Sequence, residues 1–463
     1  MSSNDPFSYV IDKVNIYIHG QTEVLNVAGS LLELELMEDI DNLHITGSLS
    51  FLDTNNVFEN VDFDGTEYIQ ISAMLPDSPS DRWSSWFHVV RVMKTSKGND
   101  TAEAITVELI DRDSYINNLI NVNKSYAGKI TLMMDNILRD NFKAQKRMMF
   151  STQDIQEPIL YIPPNLTPYQ TLKVLRSRCT GPTGTPFYLF AVLNDNRLRF
   201  FDLFDMLNLP AINQGSPYTF NQRATDTGDV QDTSYHITTL DIRNTEDMMT
   251  LIRKGMVGAE YNYVNTTGGY VDIVKYDAQK VIDNIWKYST QKTLAPVVNV
   301  NAQASGTYLT DYKSTVNTFM TSSNVYNDFA GLDEDLTTAF HRPRAISAAV
   351  KEYMGKSSIS IRVPGRNFFP SQKNMTIGNT IEIDILSNND LRKGMSAREL
   401  KDQKRSGKYV ILSSRHHFVD NRYSVDLTLG KLGNRSGTTT AGRYGGGFGQ
   451  VDRSLAQAAG LID

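Results

Sequence analysis

The stretches Ser357-Ser358-Ile359-Ser360-Ile361-Arg362-Val363, Gly378-Asn379-Thr380-Ile381-Glu382-Ile383-Asp384-Ile385 and Ser424-Val425-Asp426-Leu427-Thr428-Leu429 decide how this chain reads. In each, apolar and polar residues alternate, so every second side chain falls on one face, the pattern of a strand with one side buried. The first hundred residues do the same. Leu49 and Phe51 share a face, as do Ile69, Ile71 and Ala73, and then Ile105, Val107 and Leu109, with Ser50, Gln70, Thr106 and Glu108 between them. Asp64-Gly65 and Lys97-Gly98-Asn99-Asp100 supply the turns.

The two sets also share an order. Strand centres fall at Leu49, Ile69 and Val107 in the first and at Ile361, Ile383 and Leu427 in the second. A hydrophobic strand sits at Val89 to Met93 and again at Tyr409 to Leu412. Alternation alone is common to any two antiparallel sheets. The added order of glycine, Ile-x-Ile, long loop, hydrophobic strand, turn and alternating Val and Leu points to an internal duplication. The fold expected is α+β, mainly β, with two similar antiparallel β-barrels and α/β insertions.

Between the sets the period changes. Ile130, Met133, Met134, Ile137 and Leu138 repeat at helical spacing. Thr167-Pro168 can cap and open a second helix, with Gly181 beyond its end. Pro186 to Phe190 and Arg197 to Leu203 read as a hairpin around Asn194-Asp195-Asn196. Residues 213 to 233 are polar and read as a linker, and 276 to 341 as an irregular insertion. Pro343 opens a third helix through Ile346, Ala349, Val350 and Tyr353, stopped by Gly355. The expected domains are 1–120 (first barrel), 121–230 (α+β domain and linker), 231–275 with 343–432 (second barrel), 276–342 (irregular insertion) and 433–463 (Gly-rich tail).

The 463 residues suggest about three domains and ample core, with 40% apolar and 21% charged residues. Net charge is −6, which excludes a global polycation that holds nucleic acid by phosphate neutralisation. The single cysteine, Cys179, sits in an apolar helical pattern with Leu172 and Leu175, and reads as core. The start lacks a basic and apolar leader and no run approaches a membrane span, so the chain is expected to be made and folded in a cytoplasm.

Catalytic signatures do not assemble. Gly355-Lys356-Ser357 lacks the glycine that a phosphate loop needs, Val350 standing in its place. His416 and His417 are strand neighbours pointing to opposite faces, so they cannot chelate one metal. His19, His44 and His88 read as structural. Asp111/Asp113 and Asp333/Glu334/Asp335 read as solvated turns rather than glycosidase pairs. No catalytic residue, cofactor or metal site is expected. The loop Arg392 to Lys408 carries Arg392, Lys393, Arg398, Lys401, Lys404, Arg405 and Lys408 against Glu399 and Asp402. It is either a solvated loop or a docking surface for an acidic partner or nucleic acid. Residues 430 to 449 hold eight glycines, and Val451 to Ile462 can form a short helix that orders on a partner or stays disordered.

Gly47-Ser48-Leu49-Ser50-Phe51-Leu52-Asp53 through Gly65-Thr66-Glu67-Tyr68-Ile69-Gln70-Ile71-Ser72 resembles the first barrel of the central baseplate hub proteins of T-even-like contractile-tailed phages. Tyr161-Ile162-Pro163 and Thr167-Pro168-Tyr169-Gln170-Thr171-Leu172 resemble the start of their α/β domain, and Ile346 to Tyr353, the strands through Gly378, and Val425 to Leu429 their second barrel. The likeness spans residues 10 to 432 and is one of architecture; the hub domains of type VI secretion spike proteins are related. The resemblance implies a non-enzymatic homotrimer whose duplicated barrels make a pseudo-six-fold ring between a six-fold tail tube and a three-fold spike. The implied partners are the chain itself, a central spike protein, a tube or tube-initiator protein and surrounding baseplate proteins, with DNA passing through the lumen and the whole located in the virion tail. The competing readings are a tail-associated cell-wall hydrolase and a glycan-binding tail module, the latter encouraged by 22 Tyr and 3 Trp.

Overall fold

The computed structural model describes residues 5–19, 24–53, 63, 65–99, 102–142, 146–151, 158–177, 179, 181, 185–220, 234–244, 249, 258–265, 270–277, 294–296, 303–308, 316–321, 347, 350–351, 354, 357–371, 376–386, 401–402, 405–431 and 433–435. The alternating opening forms β1 (Val10–Tyr17), β2 (Leu25–Asn26), β3 (Leu31–Asp39), β4 (Thr46–Asp53), β5 (Tyr68–Leu75), β6 (Ser78–Asn99) and β7 (Ala102–Asp111). They pair antiparallel in the order β3-β4-β7-β6-β5-β1-β2. Leu34, Leu36, Leu49, Phe51, Ile69, Ile71, Val107 and Leu109 all point inward and are at most 1% exposed. Each such side chain contributes about 1.5–3 kcal/mol relative to exposure.

The next segment is α+β. It holds α1 (Arg112–Asn117), β8 (Tyr126–Lys129), α2 (Ile130–Asn141), β9 (Arg147–Phe150), β10 (Pro158–Tyr161), α3 (Pro168–Ser177), β11 (Phe187–Val192), β12 (Asp195–Asp202) and α4 (Leu203–Asn208). The whole stripe of α2 (Ile130, Met133, Met134, Ile137, Leu138) is buried. α3 opens with a reciprocal cap: Gln170 N donates to Thr167 Oγ1 at 3.3 Å, and Thr167 N donates to Gln170 Oε1 at 3.1 Å. Cys179 is buried in this core.

The rest of the chain gives β13 (Tyr218–Phe220), β14 (Thr239–Asn244), β15 (Gly258–Asn265), β16 (Tyr270–Asp277), β17 (Leu294–Pro296), β18 (Gln303–Ala304), β19 (Thr307–Tyr308), β20 (Val316–Thr321), β21 (Ser357–Pro364), β22 (Thr380–Ile385), β23 (Gly407–Val419), β24 (Arg422–Gly430) and β25 (Gly433–Arg435). Here the order is β14-β21-β24-β23, with β22 on the far side of β23 and β13 parallel to β22. Substituting β3 for β14, β4 for β21, β7 for β24, β6 for β23 and β5 for β22 reproduces the order of the first unit. The chain is mainly β, and both expected strand sets are present. They are not separate: β23 pairs with β3, so one 13-stranded sheet runs through both.

Three expectations change. Gly258–Asn265 and most of Tyr270–Asp277, assigned to the second barrel with 231–275, form β15 and β16 of a separate three-stranded sheet with β20. Alternation reports a half-buried face and not the sheet to which it belongs. That same pairing gives the supposedly irregular 276–342 stretch an ordered strand. Within the supposed linker, Tyr218–Phe220 pairs with Ile383–Ile385, and three residues are too few to show a period. Residues 221–233, most of the Pro343 to Tyr353 helix, residues 392–400 and 403–404 of the basic loop and the tail from 436 lie outside the described residues. Among the described residues no helix is long and apolar enough to cross a membrane.

Two predictions follow from burial. Ile383 is 0% exposed, so Ile383→Asp is expected to destabilise by about 4 kcal/mol, and an unchanged melting temperature would refute its core placement. Asp202, also 0% exposed, is pushed up to about 7 by burial, with Asp205 adding to the shift. Its protonated form suits the fold, so this contribution is complete below the ordinary carboxyl range and is lost as pH rises from about 4 to about 7. Asp202→Asn is therefore expected to gain stability over the parent protein by up to about 4 kcal/mol above neutral pH and little at pH 4, read by urea denaturation at both.

Candidate functional site

The two units meet along β23. Its first residues pair with β22, from Gly407 opposite Ile383 to Val410 opposite Thr380. Past an extra residue at Leu412 the strand bends and takes β3 instead, from Ser413 opposite Asp39 to Val419 opposite Glu33. Ile40 N donates to Leu412 O at 2.8 Å at the changeover. The N-terminal segment reinforces the joint: Tyr423 N donates to Phe7 O at 2.8 Å, Arg422 lies 4.5 Å from the Phe7 ring centre, and Tyr9 packs edge-on to Phe418 at 5.1 Å.

The inward face of the joint is polar where the strand pattern calls for apolar residues. Glu38 and Ser414 are 3% exposed and His416 is 0% exposed. Ser414 Oγ donates to Glu38 Oε2 at 2.8 Å, and the backbone N–H of Leu193, from the β11–β12 turn, donates to Glu38 Oε1. Leu193 O in turn accepts from Trp83 Nε1 at 3.0 Å. His416 Nδ1 lies 2.7 Å from the Tyr423 hydroxyl, which donates to Phe368 O at 3.0 Å; His416 Nε2 lies 3.3 Å from Ser414 Oγ. Burial pushes the Tyr423 phenol well above its ordinary range, with the Glu38 charge adding to it.

Serine, histidine and glutamate together invite a nucleophile reading, and the geometry opposes it. An activated serine gives its proton to one imidazole nitrogen while a carboxylate orients the other. Here serine and carboxylate stand at the same nitrogen, the serine proton goes to the carboxylate, and the far nitrogen meets a phenol. The group acts as a clamp: one buried carboxylate holds β3, β23 and the α+β segment together.

The outward face carries a second network. His417 Nδ1 lies 2.8 Å from Glu35 Oε1 and its Nε2 3.0 Å from Asp426 Oδ2. Arg362 grips Asp426 with two hydrogen bonds, at 2.5 and 2.7 Å. Burial would raise the Asp426 carboxyl, but Arg362 and His417 outweigh it and hold it well below the usual range. Glu33, Glu35 and His417 bring ligand-type atoms within 4.8 Å of one another, yet both nitrogens of His417 already face carboxylates. Beside this network lies a groove of about 610 Å³ whose polar lining includes Asp39, Asp241, Arg362, Arg415 and Asp426.

The residues singled out in the sequence fall as follows. His416 points inward and His417 outward. Asp111 is not a solvated turn: it is 7% exposed, accepts from Ile45 N at 2.9 Å and caps α1 through Ser114 N at 3.1 Å. Asp113 pairs with buried Lys146 at 2.8 Å. His88 stacks on Tyr115 at 4.1 Å, and His44 lies against Tyr169 at 5.3 Å. In the basic loop Lys401 pairs with Asp384, Arg405 with Asp402 at 3.3 Å, and Lys408 donates to the carbonyls of Leu207, at 3.1 Å, and Leu209. Sequence reasoning missed Glu38, although it continues the inward phase of Leu34 and Leu36; a charge in step with an apolar face was the available signal.

Glu38→Ala orphans the Leu193 amide in a dry site and leaves the Ser414 hydroxyl only His416 Nε2, and is expected to cost about 3 kcal/mol. Glu38→Gln keeps one acceptor and should cost about 1 kcal/mol. Equal losses in urea denaturation would show that the hydrogen bonds carry none of the effect.

No family model matches the sequence and no curated protein does. Solved structures similar to the chain include the 43 kDa tail protein of prophage MuSo2 from Shewanella oneidensis, at 10% identity and a TM-score of 0.48, covering 90% of this chain and 97% of that one. A tail protein from Neisseria meningitidis aligns at 9% identity and a TM-score of 0.47, over 92% and 97% of the two chains. An Escherichia coli protein described as a type VI secretion component with structural similarity to T4 bacteriophage tail proteins aligns at 9% identity and 0.41, over 91% and 78%.

Proposed function

We propose that this chain is a structural subunit of a phage-tail or secretion-spike assembly: a hub whose three copies close a ring of six nearly equivalent β units. The observation that supports this reading is the strand order shared by the two units and the edge-to-edge pairing of β3 with β23 that joins them. A unit that can follow another by strand pairing is the element from which a closed ring is built. Duplication inside one chain then lets a three-fold assembly present a nearly six-fold face.

In this reading one face meets a six-fold tail tube or tube initiator and the other a three-fold central spike, with surrounding baseplate proteins outside and DNA passing through the lumen. The strands up to residue 120 and those of the second unit form the ring. The α+β segment and the inserted residues 276–342 face the spike. The work is symmetry adaptation in the virion tail, and no bond is made or broken.

Light scattering of the purified full chain across a concentration series tests it. The expected mass is about 156 kDa, three times 52.0 kDa. A monomer at every concentration, together with clearing of cell-wall suspensions, would overturn the reading in favour of a hydrolase.

A further inference from the structure

The two units can be matched residue by residue through their registers. Val89 opposite Leu109 corresponds to Ile411 opposite Leu429, and in both strands one extra residue follows, Val90 and Leu412; β6 carries a further one at Met93, so that Lys94 to Lys97 correspond to Arg415 to Phe418. Gly47 corresponds to Ile359, and through them Leu36 corresponds to Ile242. Thus β6 stands in the first unit as β23 does in the second, and β14 stands as β3 does.

β23 and β3 are paired with each other, whereas their counterparts are not. Among the described residues, β6 pairs with β5 only as far as His88 and beyond that has β7 alone beside it. β14 has β21 on one side and, among the described residues, no strand on the other. Exposure follows the difference. Ser414, His416 and Phe418 are at most 3% exposed, while the residues of β6 that the registers match to them are half-buried at Val92 and exposed at Thr95 and Lys97, and the extra residues Val90 and Met93 are 45% and 53% exposed. A long strand edge with large apolar side chains in water invites pairing.

We propose that β6, from Val92 to Lys97, pairs antiparallel with Leu240 to Asn244 of β14 in a second copy of this chain. The register is that of the internal joint: where His417 faces Glu35, Ser96 faces Asp241 of the next copy, and where Phe418 faces Leu34, Lys97 faces Leu240. The contact is heterologous, since it joins two different edges, and it repeats from copy to copy until it closes or grows into a filament. The inference rests on the ring reading and gives that ring its seam.

The full chain carrying Ser96→Cys with Asp241→Cys, both exposed positions, is oxidised mildly and run without reductant, with buried Cys179 left in place. The controls are each single variant and the off-register pair Ser96→Cys with Thr239→Cys. Covalent species ending at three chains are expected, about ten-fold more abundant than in any control. Equal cross-linking off register overturns the seam. Light scattering of the reduced variant separates the two proposals. A trimer mass without the cross-link overturns the seam and leaves the ring; a monomer without it overturns both; a covalent ladder beyond three chains supports the seam and overturns the closed ring. On the unaltered protein, amide exchange at Val92 to Lys97 that slows as protein concentration rises supports the seam, and exchange as fast as in a free strand at every concentration overturns it.

Discussion

The pairing of β3 with β23 is the contact on which the rest of the molecule depends. Seven opposed residue pairs, Glu33 to Asp39 against Val419 to Ser413, turn two short sheets into one. Backbone hydrogen bonds alone would leave this joint interchangeable with any strand edge. Glu38 makes it specific, because its buried carboxylate is satisfied only when Ser414 of one unit and the Leu193 amide of the α+β segment are both in place. A buried charge with a missing partner costs several kcal/mol, so a wrong docking is penalised more than the right one is rewarded. Asp41, just past β3, adds to the lock by accepting from Arg176 of α3 at 2.5 Å and from Lys351.

Much of this was legible in the sequence, and the limits have physical causes. Period-two alternation located the strands around Leu49, Ile69, Val107, Ile361, Ile383 and Leu427 because each has one dry face. The helix through Ile130 and the Thr167 cap were equally plain, since an apolar stripe and a capping pair are local signals. Pairing between distant strands leaves no local mark. That β23 changes partner at Leu412, or that Gly258–Asn265 joins Val316–Thr321 rather than the second unit, is set by tertiary packing. Strand centres match the two units at Leu49 with Ile361 and at Val107 with Leu427, as register does, but are two residues out at the third: they align Ile69 with Ile383, whereas register aligns Ile71 with it. The clamp was hidden for a related reason. A glutamate in the apolar phase of a strand has no meaning until its partners, more than a hundred residues away, are known.

Both units carry their additions away from the shared framework. In the first, β3 and β4 are joined by a short turn; at the corresponding place between β14 and β21 the second unit carries the three-stranded sheet and the surrounding insertion. The α+β segment leaves from the end of β7. Lys408 and Trp83 each reach it through backbone carbonyls, so it is pinned to both units while the edges of β6 and β14 are left without a neighbouring strand among the described residues.

The extra residues at Val90 and Leu412 carry the last step. A bulge costs ladder hydrogen bonds and bends the strand that holds it. At Leu412 the bend has an evident use inside the chain, because it frees β23 from β22 and aims it at β3. At Val90 the same bend, at the same register, aims β6 at no strand among the described residues. In the proposed seam that device serves a second copy of the chain. The surface that can use it is one shaped like β3, and the described part of the chain holds that shape once more, on the outer edge of β14.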